Sequence, residues 1–165
     1  DRSRFFRGQV DKYEWVDLGS SFLPSELGAA FLLAQLEERA SIQARRRDLW
    51  LRYNSELSVW ASQHGVLLPV IPAHCEQAYH MFYLVMPSLT ARQGLIAHLL
   101  QAGIRAVFHY LPLNRSEMAR RLGVTVSCPI VEDISERLVR LPFFPALTED
   151  EQGAVIEAVR GAPIN

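Results

Sequence analysis

The sequence predicts an α/β fold, a two-layer sandwich in which helices cover a small, largely antiparallel sheet. Three observations support this prediction. The 165 residues, 49% of them hydrophobic, are enough to bury one core without disulfides or a metal. Strand-like apolar runs alternate with helix-like patterns, and one very long helical pattern precedes them. A net charge of −1 and the lack of any apolar run near the roughly 20 residues of a membrane span favour a soluble protein that binds neither nucleic acid nor membrane.

The long helical pattern runs from Pro24 to about His64. Pro24 suits a first helical position, where a missing N–H does no harm. Residues 27–36 are apolar almost all the way round, which predicts burial on several sides and an interface. From residue 42 the apolar side chains follow one helix face: Ile42, Leu49, Tyr53, Leu57 and Trp60.

This helix cannot be straight within one small domain. At 1.5 Å per residue it would span roughly 60 Å. We therefore expect a break near the polar segment 37–41, or a helix that reaches into another domain or subunit.

The remaining elements follow in order. After Gly65 we expect an edge strand or extended connector at 66–70 and a central strand at 78–86. A helix over 88–103 is predicted to be capped by Thr90 and ended by Gly103. The other predicted elements are a strand at 104–111, short helices at 116–122 and 131–137, a strand at 139–144, and a closing helix at 148–160 with a capping box of Thr148 and Glu151.

Two segments near the amino terminus carry groups that bind phosphate. Residues 1–16 mix Arg4, Lys12 and other cations with aromatic residues, which could bind a phosphate and stack a base, or could be a terminal arm without its packing partner. The turn formed by Gly19, Ser20 and Ser21 could present N–H groups and hydroxyls to a phosphate, or simply cap the next helix. The arginines at 45–47 are interpreted as the solvated face of the long helix.

Histidine and cysteine positions are less specific. His109 and Tyr110 end a predicted strand, where site residues often gather, although a lone histidine there is more often structural. The spacing of the other histidines and the two cysteines does not match a zinc site, so we expect no metal. Two cysteines form no disulfide framework, which fits a reducing cytosol.

The lysine content restricts the chemistry. Lys12 is the only lysine in the sequence, so any mechanism that needs a lysine of this chain must use it. The sequence starts without Met and without a signal-peptide pattern, which we interpret as a piece of a larger protein.

Four blocks together resemble a known family. DKYEWVDLGSSFLPSELGAAFLLAQLE, HMFYLV, GIRAVFHYLPL and SERLVRLPFFPAL are similar, in this order, to the carboxy-terminal half of the DegT/DnrJ-type sugar aminotransferases. The similarity runs from about Arg2 to about Val159. It looks closest to the branch that makes 4-amino sugars for enterobacterial common antigen and lipopolysaccharide.

The resemblance implies part of a cytoplasmic, homodimeric enzyme of the aspartate aminotransferase fold (fold type I), which uses pyridoxal 5'-phosphate. Residues 1–36 would be the end of the cofactor domain with a dimer-interface arm and helix, and residues 37–165 the small domain. The enzyme would transfer an amino group from glutamate to dTDP-4-keto-6-deoxyglucose. The family's Schiff-base lysine would precede Asp1, so this chain alone would lack a catalytic residue and be inactive.

The resemblance also implies roles for individual residues. GSSFLP matches a family block, Gly-x-Asn-x-Arg, whose Asn contacts the partner subunit's cofactor phosphate, so Ser20 and Ser21 are cofactor-binding candidates. His109 and Tyr110 match a His-Tyr-x-Pro-Leu-His block near the active-site mouth and are substrate-binding candidates. Arg4 and Lys12 are candidates for the nucleotide diphosphate.

Two alternatives stay open at this stage. Related enzymes with a histidine in place of the lysine dehydrate the sugar, and a stand-alone ligand-binding or dimerisation module would also fit the architecture. In every case an uncovered apolar half-helix predicts self-association.

Overall fold

The computed structural model describes residues 23–164. The chain divides into two units between Glu37 and Glu38, and each unit is described by itself. No helix among the described residues is both long and apolar enough to cross a membrane.

Helix α1, Glu26–Glu37, is the described part of the first unit. The Ser25 hydroxyl accepts a hydrogen bond from the Gly28 amide at 3.1 Å and so satisfies a free N–H of the first turn. No residue of α1 is buried in the single chain. The apolar pattern identifies a surface that favours burial, and its predicted burial at an interface stays a prediction. Its large exposed side chains are Leu27, Phe31, Leu32, Leu33 and Leu36.

The predicted break in the helical run is present at Glu38. This residue has φ −86° and ψ 8°, and helix α2, Arg39–Gln63, follows it. The Ser41 hydroxyl donates a hydrogen bond to the Glu38 carboxylate at 2.9 Å, and this contact stabilises the first turn of α2.

Helix α2 buries one face, as its periodicity predicts. Leu49, Tyr53, Leu57 and Trp60 are buried. Trp50 is also buried and packs edge-on against Phe82, with ring centroids 5.5 Å apart.

The arginines of α2 were predicted to form a solvated face, and this is wrong for Arg45. Its guanidinium donates to the carbonyl of Leu147 at 2.5 Å and to that of Pro145 at 3.3 Å. Arg45 thereby ties α2 to the segment that leads into the last helix, a long-range contact that helical periodicity does not reveal.

Three short strands form the sheet: β1 Tyr83–Val85, β2 Val107–Phe108 and β3 Leu138–Arg140. β3 lies between the others and pairs antiparallel with both. The prediction that 78–86 is the central strand is therefore wrong, because its apolar content reflects burial and not its place in the sheet. A single antiparallel bridge between Leu67 and Val85 borders β1, which agrees with an edge strand or connector at 66–70.

The helical layer packs on one face of the sheet. Leu84 and Val139 are cross-strand partners and fully buried. Helix α3, Leu89–Gln101, contacts β3, and helix α6, Glu149–Arg160, contacts both α2 and α3. This is the predicted arrangement of helices over a small antiparallel sheet.

Local chemistry fixes the helix ends. Ser88 caps α3, since its hydroxyl accepts from the Ala91 amide at 3.0 Å, so Thr90 was the wrong cap because it lies inside the helix. Gly103 ends this helix with φ +75°, and Thr148 and Glu151 form the predicted capping box of α6. The two short helices are α4, Glu117–Arg121, and α5, Pro129–Arg137, the latter starting two residues early because proline fits its first turn.

Candidate functional site

The sheet face opposite the core carries the candidate site. Tyr83, Arg140 and Val107 lie side by side across the three strands. Because side chains alternate along a strand, these residues point away from buried Leu84 and Val139. The loop that follows β2 begins at the edge of this open face.

His109 and Tyr110 follow directly after β2, as the sequence predicts. Their rings meet edge to face with centroids 5.1 Å apart. Tyr110 is 78% exposed, whereas His109 is half-buried. The Nδ1 atom of His109 is shielded from solvent and has no hydrogen-bond partner within residues 23–164. The pair therefore offers one exposed aromatic ring and one unsatisfied imidazole nitrogen.

A short 3₁₀ turn, Leu113–Arg115, holds the loop after Tyr110 in place. The Asn114 side-chain amide donates to the carbonyl of Val126 at 3.0 Å and to Glu132 at 2.7 Å. Asn114 thus has a structural role in this chain, at the position where the family block has a second histidine.

Glu132, near the start of α5, is the centre of this network. It also accepts from the Cys128 amide at 2.9 Å and from Arg115 at 2.5 Å. The hydrogen bond from the Cys128 amide, then those from Asn114 and Arg115, lower the pKa of Glu132. A carboxylate that stays ionised keeps these donors together, so the loop beside His109 is fixed to α5.

A cleft of about 240 Å³ opens on the same sheet face. Among the described residues, its polar lining consists of His80, Arg105 and Arg140 and includes no acidic residue. The Nε atom of Arg140 is shielded from solvent and lacks a hydrogen-bond partner among the described residues. Neither arginine was predicted from the sequence, although a charged residue within the apolar run Leu138–Leu141 is a signal for Arg140.

A wider cleft of about 680 Å³ lies along α2. Arg39, Gln43 and Arg47, four residues apart, line one side, and Tyr79 with φ +47° lines the other. Glu76 also lines this cleft, so its charges are partly balanced from within.

The other predicted site residues, Arg4, Lys12, Ser20 and Ser21, lie outside the described residues. Residues 23–164 contain no lysine and so offer no amine for a Schiff base with pyridoxal phosphate. Within the same range, no three His, Cys, Asp or Glu side chains gather as a metal-binding set.

Comparison with known proteins extends these observations. The model of the DegT/DnrJ/EryC1/StrS aminotransferase family matches residues 3–160. Over 164 residues the chain is 29% identical to the erythromycin biosynthesis sensory transduction protein EryC1 of Saccharopolyspora erythraea, covering 97% of this chain and 43% of that protein.

Solved structures share the fold. DesV of S. venezuelae is 30% identical with a TM-score of 0.77, over 96% of this chain and 42% of that one. Spr1654 of Streptococcus pneumoniae, solved in a PLP form, is 23% identical with a TM-score of 0.74, over 90% of this chain and 38% of that one. The chain therefore spans about two fifths of the length of these relatives.

Proposed function

This chain belongs to the DegT/DnrJ/EryC1/StrS aminotransferase family, and from that premise we propose that it is the carboxy-terminal part of a nucleotide-sugar aminotransferase. The sugar aminotransferases of this family depend on pyridoxal phosphate. The observation that carries the proposal is the extent of the family match, residues 3–160 of 165. The fold shared with DesV over 96% of the chain supports it.

The full-length protein would supply what this chain lacks. We place the Schiff-base lysine upstream of Asp1, as the resemblance to the family implies; Lys12 lies in the DKYEW block and not in the family's lysine motif. Ser20 and Ser21 would donate hydroxyl hydrogen bonds to the cofactor phosphate. Arg4 and Lys12 would bind the diphosphate of the nucleotide sugar, since guanidinium and ammonium groups form charge-assisted hydrogen bonds with phosphate.

His109 and Tyr110 are assigned to the sugar nucleotide. The imidazole of His109 is partly exposed beside Tyr110 and can offer a ring nitrogen to a substrate hydroxyl. The exposed Tyr110 ring can stack on a sugar or a base, and the Asn114 and Glu132 contacts keep this loop in position.

For the reaction, we propose amino transfer from glutamate to the 4-keto group of dTDP-4-keto-6-deoxyglucose, in lipopolysaccharide and common-antigen sugar synthesis. The choice of this substrate rests on the resemblance of the four sequence blocks to the family. Two alternatives remain: dehydration of the sugar by an enzyme of the same fold, and a non-catalytic binding or dimerisation module. We further propose that the enzyme is cytoplasmic and acts as a homodimer.

The exposed apolar side of α1 supports the homodimer. Phe31 is 71% exposed and Leu27 is 85% exposed, and apolar neighbours surround both on the same short helix. Exposing such a helix to water costs free energy, which a second subunit can recover by covering it.

A product assay on the full-length protein separates the three functions. The protein is mixed with pyridoxal phosphate, glutamate and dTDP-4-keto-6-deoxyglucose, and 2-oxoglutarate and the sugar mass are measured. Amino transfer yields one 2-oxoglutarate per amino sugar. Loss of water from the sugar without 2-oxoglutarate indicates the dehydratase, and no product at all indicates the module.

His109→Phe in the same protein tests the substrate site, because it keeps an aromatic ring and removes both ring nitrogens. Loss of one hydrogen bond to the sugar nucleotide is worth about 0.5–1.5 kcal/mol, which raises KM about 2- to 10-fold. His74→Phe, at an exposed histidine away from the loop, is the matched control. Equal KM values for both variants would remove His109 from the site, and Arg4→Ala tests the diphosphate assignment in the same way.

A further inference from the structure

The small cleft on the open sheet face has an uncompensated positive charge. Arg105 and Arg140 both line it, and neither takes part in an ion pair among the described residues. The neighbouring groove includes Glu151, but the Thr148 amide and hydroxyl already engage that carboxylate at 2.8 and 3.0 Å. Neither guanidinium therefore has an ion-pair partner in the described part of the chain.

Other arginines of this domain are used differently. Arg115 and Arg137 each pair with a carboxylate, and Arg45 donates to two carbonyl groups. Arg46, Arg92 and Arg140 each have a solvent-shielded Nε–H without a partner within residues 23–164, but of these three only Arg140 lies on the central strand and lines this cleft. A buried donor without an acceptor is costly, so such a group indicates a missing acceptor.

The cleft suits a small anion. A volume of about 240 Å³ accepts a carboxylate or a phosphate group but not a whole nucleotide sugar. Arginine binds either group through paired N–H donors. The backbone pairing of Arg140 with Tyr83 and Val107 fixes the position of this side chain on the sheet.

We propose that the cleft lined by His80, Arg105 and Arg140 is an oxyanion-binding site, in which the guanidinium groups of Arg105 and Arg140 donate to a carboxylate or phosphate. The source of the anion rests on the proposed function: it is either a glutamate carboxylate or a phosphate of the nucleotide. Binding itself does not depend on that function, because it needs only these side chains.

The 165-residue chain, labelled with nitrogen-15, allows a direct test. Arginine Nε–H signals are followed by NMR while glutamate, thymidine diphosphate or inorganic phosphate is added, with sodium chloride as the ionic-strength control. The signal that disappears in Arg140→Lys identifies Arg140. We expect this signal to shift saturably with at least one of the three anions and not with chloride.

Variants then locate the site. Arg105→Gln should weaken binding at least fivefold, and it should fold normally because its side chain is exposed. Arg121→Gln is the matched control, since Arg121 is also exposed and, among the described residues, pairs only with Glu117 on its own helix. Its affinity should stay within twofold of the wild type.

The outcomes are distinct. Saturation by glutamate alone assigns the donor carboxylate, and saturation by thymidine diphosphate and phosphate assigns the nucleotide. No saturable shift, an equal shift with chloride, or an unchanged affinity in Arg105→Gln would overturn the site. If the full-length protein fails the product assay while these shifts persist, the site stands and the proposed reaction fails.

Discussion

Replacing Tyr53 by phenylalanine removes one hydroxyl group from the middle of the core. The Tyr53 side chain is 0% exposed, and its hydroxyl donates to the carbonyl of Pro142 at 3.0 Å. This bond joins α2 to the segment after β3, two residues beyond Arg140. The variant keeps the ring and its stacking on Phe82 at 5.2 Å, so the change isolates the hydrogen bond.

The expected loss at neutral pH is about 1 kcal/mol, the usual net contribution of one neutral hydrogen bond. For a domain of this size that loss lowers the melting temperature by about 3 °C. Tyr110→Phe is the control, because its hydroxyl belongs to a side chain that is 78% exposed and should contribute almost nothing.

At high pH the order of stability should reverse. Burial raises the pKa of Tyr53 far above its usual value of 10.0. The unfolded chain therefore ionises first, and the contribution of Tyr53, complete below about pH 10, is lost as pH rises toward the raised pKa. When only the unfolded chain has released this proton, the stability falls by about 1.4 kcal/mol per pH unit. The stability advantage of the wild type over Tyr53→Phe should therefore vanish near pH 11.

Urea unfolding at pH 7.5 measures the hydrogen bond, and the same measurement across the alkaline range measures the effect of the raised pKa. Taking the difference in stability between wild type and variant cancels the contributions of the other titrating groups. A Tyr53→Phe variant as stable as Tyr110→Phe at pH 7.5 would refute the hydrogen bond. A constant difference through pH 11 would refute the raised pKa.

Three further predictions address other parts of the structure. Ser88→Ala should destabilise the chain by about 1 kcal/mol in urea unfolding, whereas Thr90→Ala should be neutral; the reverse result would reinstate Thr90 as the cap. Glu132 has a lowered pKa, so its contribution to stability is present above pH 4.5, its usual pKa, and is lost as pH falls through the lowered pKa. Glu132→Gln should therefore reduce the loss of stability at acid pH. An unchanged loss would contradict the Glu132 network. Phe31→Glu should reduce self-association of the 165-residue chain by light scattering, whereas Gln101→Glu, at an exposed position of α3, should not; a monodisperse monomer in the wild type would count against the α1 interface.

The sequence predicted features that depend on nearby residues. The buried face of α2 follows from helical periodicity, and the capping box of Thr148 and Glu151 is complete within four residues. Gly103 ends α3 because its φ of +75° strains other residues. The α/β fold class of a type I pyridoxal-phosphate enzyme, inferred from the four blocks, is confirmed by neighbours such as DesV with a TM-score of 0.77.

Features that depend on distant residues were not predicted. Arg45 is a polar side chain by pattern, yet it bonds the carbonyl of Leu147, 102 residues away. The central place of β3 depends on pairing with β1 and β2, which strand composition does not encode. Arg140 belongs to the same class, because only the assembled sheet shows that its Nε–H is shielded and unpartnered.

The central proposal, that this chain is part of an enzyme whose lysine lies upstream, is tested most directly by covalent labelling. The 165-residue chain and the full-length protein are each mixed with pyridoxal phosphate, reduced with borohydride, and analysed by intact mass and peptide mapping. We predict one adduct in the full-length protein, on a lysine before Asp1, and no specific adduct in the chain. A specific adduct on Lys12, or none in the full-length protein, would contradict the proposal.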